Sequence, residues 1–201
     1  MNKRYNLMLL IVLVCLVLGS GLWWASGRIQ DQAPPPLAEL ALQPEDLSKN
    51  ALWLSVGATD LDDISQPLNS HNLINNPALD AATLLAYDDA YKAEIVEMDD
   101  TGSTVAVTAN YLYQYADRRH AQIAARQVVG LLMQADGSQA SADVATGETV
   151  RISQADGMAS YWWVDADGQT LSLLRVEGSS AQTTEQVFAE TVAQASGKKA
   201  R

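Results

Sequence analysis

Thr104–Met133, TVAVTANYLYQYADRRHAQIAARQVVGLLM, is the stretch on which the fold turns. Its first half alternates: Val105, Val107, Ala109, Tyr111 and Tyr113 fall on one face of a strand running from Thr104 to Tyr115. Its second half, Ala116 to Met133, changes period. Ala121, Ala124, Ala125, Val128 and Leu132 form one helical stripe, while Arg118, Gln122 and Arg126 line another side. The small alanines suit a helix lying close against a sheet. Asp99-Asp100-Thr101-Gly102 supplies turn chemistry just upstream, and Tyr91–Met98 before it alternates like a partner strand.

The same order returns towards the C-terminus. Ala159–Val164 (ASYWWV) reads as a strand, Asp165-Ala166-Asp167-Gly168 as a turn and Gln169–Val176 (QTLSLLRV) as a second strand. A helix through Ala195 follows, with Thr183 and Gln186 spaced for a capping box and Val187, Phe188, Val192 and Ala195 as its apolar stripe. The expected class is therefore α+β: an antiparallel sheet from two strand–turn–strand–helix units, with the helices packed on it. Elsewhere the sequence predicts a short strand near Leu52–Val56, a long loop to Asn76, a short helix over Pro77–Tyr87 and a loop over Ala135–Gly147.

Upstream of this domain, Leu7–Ala25 (LMLLIVLVCLVLGSGLWWA) carries no charge and is long enough to span most of a bilayer core of about 30 Å. Lys3 and Arg4 precede it, so the N-terminus is expected in the cytoplasm and the domain on the periplasmic or extracellular side of the inner membrane. Ala25-Ser26-Gly27 would also suit signal-peptide cleavage, but the length of the run and the interfacial pair Trp23-Trp24 favour an uncleaved anchor. Lipidation fits less well, because Val14 precedes Cys15 inside the apolar run. Arg28–Pro36 (RIQDQAPPP) reads as an extended tether. The expected organisation is thus a cytoplasmic stub and transmembrane anchor over 1–27, a tether over 28–36, the domain over 37–196 and a basic tail over 197–201.

The chain has 201 residues and a net charge of -11, with 13 basic and 24 acidic residues. Removing residues 1–27, which hold two bases and no acid, leaves 11 against 24, or -13, on the remainder. Such a surface disfavours nucleic acid, whose phosphates need bases. The exported part has no cysteine, which excludes disulfides and thiol redox chemistry, and His71 and His120 belong to no patterned metal-ligand set. No nucleophile-elbow, phosphate-loop, haem, zinc-protease or dinucleotide motif occurs, so no catalytic residue, cofactor or metal is assigned and no enzymatic activity is expected.

Two groups of residues remain as candidates. Tyr161, Trp162 and Trp163 are neighbours on one strand, so the two indoles point to opposite faces. One ring is expected in the core; the other lies either under a loop or helix on the second face, the structural reading that the pattern favours, or in an exposed aromatic patch that would anchor a protein partner, as it must if helices cover one face only. Arg118, Arg119 and Arg126 read as a solvated helix face, with a docking spot for an acidic partner as the alternative. The acidic set Asp60, Asp62, Asp63, Asp88, Asp89, Asp99 and Asp100 fits either a solvated surface with turn-forming aspartates or an incomplete calcium site.

The run Leu40-Ala41-Leu42-Gln43-Pro44-Glu45-Asp46-Leu47, the strand-to-helix unit over 104–133 and the closing strand pair with its helix together resemble exported, membrane-tethered bacterial domains of the PsbP-like and mycobacterial LpqN-like group. The resemblance covers residues 37–196 and rests on hydrophobic pattern. It implies an α/β sandwich acting as a non-catalytic accessory or binding module. The chain departs from it in lacking the lipid-bearing cysteine, and residues 57–76 match nothing in the group. The function expected from the sequence is a non-catalytic, single-pass membrane-anchored extracytoplasmic interaction domain, an accessory subunit docking on a larger membrane or envelope complex; the alternative is an extracytoplasmic small-molecule or calcium-binding sensing module.

Overall fold

The computed structural model describes residues 36–61, 69, 75–77, 79–141, 147–153 and 158–199. The expected transmembrane segment at Leu7–Ala25 lies outside them, as do His71, Asp62 and Asp63. Among the described residues no helix is long and apolar enough to cross a membrane.

A single antiparallel sheet carries the domain. Its strands are β1 (Ala51–Ala58), β2 (Tyr87–Met98), β3 (Thr104–Tyr115), β4 (Ser138–Ser141), β5 (Glu148–Ser153), β6 (Ala159–Asp167) and β7 (Thr170–Gly178), in the spatial order β1-β2-β3-β7-β6-β5-β4. The helices are α1 (Leu37–Leu40), α2 (Pro44–Leu47), α3 (Ala81–Leu84), α4 (Arg118–Leu132) and α5 (Ala181–Lys199). Both expected units are present as β2–β3–α4 and β6–β7–α5, and they join through β3 and β7, where Ala109 lies opposite Arg175 and Tyr111 opposite Leu173.

The turns form for the expected reasons. The Asp99 carboxylate accepts from the backbone N–H groups of Thr101 and Ser103 at 2.8 and 2.9 Å, and Gly102 takes φ +83°, which a side chain would resist. The hydroxyl and backbone bonds hold the Asp99 carboxyl below its ordinary value. Asp117 caps α4 by accepting from the His120 N–H at 2.9 Å. On α5 the cap sits three residues earlier than the sequence suggested: Ser180, and not Thr183, accepts from the Thr183 N–H at 3.2 Å.

The main correction concerns layering. α4 and α5 lie on opposite faces of the sheet. One core joins Ala121, Ala124, Val128, Leu131 and Leu132 of α4 to Tyr111, Tyr113, Trp162, Val164, Leu171 and Leu173. The other joins Phe188, Val192 and Ala195 of α5 to Ile95, Tyr161, Trp163, Leu174 and Val176. The cause is in the central strands. Most of β3, all of Ala159–Val164 and all of Thr170–Val176 are buried, so both faces are apolar and each needs its own cover.

The entry segment shares the α5 face, with Leu37, Ala41 and Leu42 buried. It is pinned by Asn110, whose side-chain oxygen accepts from the Leu42 N–H at 3.1 Å and whose amide donates to the Leu173 carbonyl at 3.4 Å. Lys198 of α5 ties the same segment down, donating to the Ala41 carbonyl at 2.9 Å and pairing with Asp46 at 2.5 Å.

Other boundaries differ from expectation. The helix expected over Pro77–Tyr87 shrinks to α3, capped by Asp80, and β2 begins at Tyr87 instead of Tyr91. The stretch read as a loop over Ala135–Gly147 contains β4, and β5 follows where no element was expected. β5 forms by pairing with β6, with Val150 and Ile152 on the α4-side core, and the polar β4 forms by pairing with β5.

Candidate functional site

Trp162 and Trp163 point to opposite faces as alternation demands, but both are buried, at 1% and 0% exposure. Trp162 lies in the α4 core, where its indole N–H donates to Ser160 Oγ at 3.3 Å and the Arg175 guanidinium sits 5.7 Å from its ring centre. Trp163 lies in the α5 core, and Tyr161 packs with its ring centre 5.4 Å from that of Phe188. The exposed ring required for a docking anchor at Tyr161, Trp162 or Trp163 is therefore absent. Of the two readings open for the second ring, cover by a helix on the second face is the one the structure has, and the alternative with one-sided cover falls. Arg118, Arg119 and Arg126 are exposed on α4, whose buried side covers Trp162, so they do not join the indoles in a patch.

Of the acidic set, Asp60, Asp88, Asp89, Asp99 and Asp100 are exposed. Among the described residues no three potential ligand side chains converge on a point where a metal ion could sit. A groove of about 350 Å³ does occur, lined by Asp46, Leu47, Glu97, Val187, Glu190 and Thr191 among others, where α2 and the end of β2 meet α5. Partial burial raises the Glu97 carboxyl above its ordinary value, and the nearby Glu190 charge adds to the effect while a Ser48 hydrogen bond opposes it.

On the α4 face, Tyr87, Tyr113 and Tyr115 cluster, with ring centres 5.2 and 6.5 Å from that of Tyr87. Tyr115 donates to the Leu84 carbonyl at 2.8 Å. Burial lifts the phenols of Tyr113 and Tyr115 above their ordinary range, so both remain neutral structural groups at physiological pH.

The feature that stands out was not singled out in the sequence. β1 is an edge strand, and it exposes Leu52 at 54%, Trp53 at 40%, Leu54 at 59% and Val56 at 50%. The large exposed hydrophobics among the described residues are these four and Met133.

Register places these side chains on both faces. Trp53 and Val56 lie opposite Ile95 and Ala93, which belong to the cores on the α5 face, while Leu52 lies opposite Val96 on the other. A bulge at Leu54 lets Trp53 and Val56 share a face although they are an odd number of residues apart. The strand Ala-Leu-Trp-Leu-Ser-Val-Gly-Ala has neither charge nor proline to blunt its edge. The opposite edge, β4, is only four residues long and reads Ser-Gln-Ala-Ser. The signal in the sequence was the consecutive apolar run Leu52-Trp53-Leu54, a pattern typical of a strand covered on both faces.

No family model matches the chain, and no curated protein matches it either. The kinship with the PsbP-like and LpqN-like group is therefore without support from these comparisons. Among solved structures, the chain is similar to the crystal structure of the extracellular domain of PknH from Mycobacterium tuberculosis, with a TM-score of 0.54 and 12% identity over 80% of this chain and 94% of that one. At that identity the likeness establishes a shared fold.

Proposed function

We propose that the chain is a non-catalytic, membrane-tethered extracytoplasmic domain that binds protein by adding a strand to the free edge of β1. The observation that carries this reading is the concentration of exposed Leu52, Trp53, Leu54 and Val56 on one sheet edge, beyond Ala51, whose own N–H is already held by the Ser48 carbonyl. Strand addition would satisfy the outward backbone groups of β1 and remove the apolar side chains from water together. The location draws on the N-terminal apolar run with its Lys3/Arg4 flank and on the fold shared with an extracellular domain. A second reading, a solute sensor, draws on the groove beside Glu97 and Glu190, whose carboxylates would suit a cationic solute.

A photo-crosslinking amino acid placed at Trp53 in the full chain is expected to capture protein in intact cells, whereas one at Gln139 on the β4 edge is not. Protease added to spheroplasts is expected to digest the domain. Equal capture from both edges would remove the β1 reading, and protection from protease would remove the extracytoplasmic one.

A further inference from the structure

We propose that the groove where α2 and the end of β2 meet α5 is a binding site for an alkylammonium group, held by the carboxylates of Glu97 and Glu190. The inference rests on the second reading above and names its ligand class. At about 350 Å³ the groove has the size of a small-molecule site.

Three elements each bring a carboxylate to it: Asp46 from α2, Glu97 from β2 and Glu190 from α5. Like charges gathered in one place repel, and a cation between them relieves the repulsion. One of the three is already served. Asp46 pairs at 2.5 Å with the ammonium of Lys198, which also donates to the Ala41 carbonyl at 2.9 Å, so the chain itself seats an alkylammonium on this acid. Among the described residues no ion pair includes Glu97 or Glu190.

Glu97 shows what is missing. Ser48 bonds to its carboxyl, yet its Oε1 is closed to solvent and has no hydrogen-bond partner. Folded proteins leave few buried polar atoms in that state, and an ionised one is the most costly. The neighbouring donors are spent elsewhere: the Thr191 hydroxyl donates to the Val187 carbonyl at 2.7 Å, and the Gln186 amide donates to Glu190 at 3.2 Å. Rotation about the soft terminal torsion of Glu97, which lines the groove, presents this oxygen to a ligand there. A positively charged N–H donor then supplies both the proton and the charge.

The walls decide the rest of the ligand. Leu47 and Val187 line the same groove and are half-buried, so a hydrocarbon stem can lie along them. A bare metal ion fits less well, because no three potential ligand side chains among the described residues converge on one point. The alkylammonium chemistry is shared by a free amine and by a lysine side chain of a protein.

The test titrates the full chain, in mild detergent at low salt, with n-pentylammonium chloride and follows the unfolding midpoint. A saturable rise is expected, absent with 1-pentanol and with sodium chloride at the same ionic strength. Glu97→Gln and Glu190→Gln should each weaken binding about tenfold or more, the scale of a lost hydrogen bond to a charged group. Asp88→Asn, at an exposed acid elsewhere, should stay within about twofold. Glu190 is exposed, so its neutralisation keeps the fold even if that of Glu97 does not.

N-acetyl-lysine methylamide binding as tightly as the amine would point to a lysine side chain as the source, and a preference for the amine to a small solute; both support the site. Equal weakening by Asp88→Asn, or an equal rise with sodium chloride, would mean screening of a negative domain and would overturn it. A saturable rise with calcium chloride alone, lost in Glu190→Gln, would keep the solute reading and overturn only the ligand class. No saturable rise with any of these would remove both.

Discussion

Replacing Trp163 with alanine is expected to lower the unfolding free energy by about 3–5 kcal/mol, the usual cost of emptying a large aromatic site in a core. The indole is fully buried in the cluster formed by Leu174, Val176, Phe188 and Val192. It is also hemmed in by backbone: a Cβ on Gly147 would stand 2.7 Å from its Nε1, and Gly147 itself takes φ +85°. The loop end therefore sits against the ring, and against the Val164 carbonyl at the same distance. Urea titration of the solubilised chain, followed by circular dichroism, measures the loss. A change below about 1 kcal/mol would mean that the ring is not a core residue and would return it to the surface.

Phe188→Ala is expected to cost a similar amount, about 3–5 kcal/mol. Phe188 is the single phenylalanine of the chain, 4% exposed, and couples α5 to the sheet through Tyr161. Met133→Ala, at a residue 41% exposed just past α4, serves as the contrast and should stay within about 0.5 kcal/mol. Equal effects at Phe188 and Met133 would mean that α5 does not cover the second face.

Much of the fold was legible because local and tertiary signals agreed. The alternation of Thr104–Tyr115, the alanine stripe of Ala121–Leu132 and the Asp/Gly turns each specify geometry within a few residues. Layering was not legible from alternation alone. The runs Tyr161–Val164 and Leu171–Leu174 hold buried residues on both faces, and such near-continuous burial is the mark of a strand covered twice. The alternative that left one tryptophan exposed arose from a sheet covered on one face only. β4 and β5 escaped because such short sequences become strands only through a neighbour. The edge surface escaped for a related reason. Leu52–Val56 reads as a strand from sequence, but strand order decides whether such an apolar strand is interior or edge, and order is set by pairings between distant residues.

The proposed binding mode requires that a partner strand close the β1 edge. Amide hydrogen exchange of the full chain reads this directly, because the amides of β1 that point away from β2, apart from that of Ala51, which donates to the Ser48 carbonyl at 3.2 Å, gain protection when another strand pairs with them. Those amides are predicted to be protected in the assembled protein and to exchange rapidly in a folded Trp53→Lys variant, with β3 and β7 unchanged. Rapid exchange of the same amides in both proteins, with the rest of the sheet protected, would contradict it.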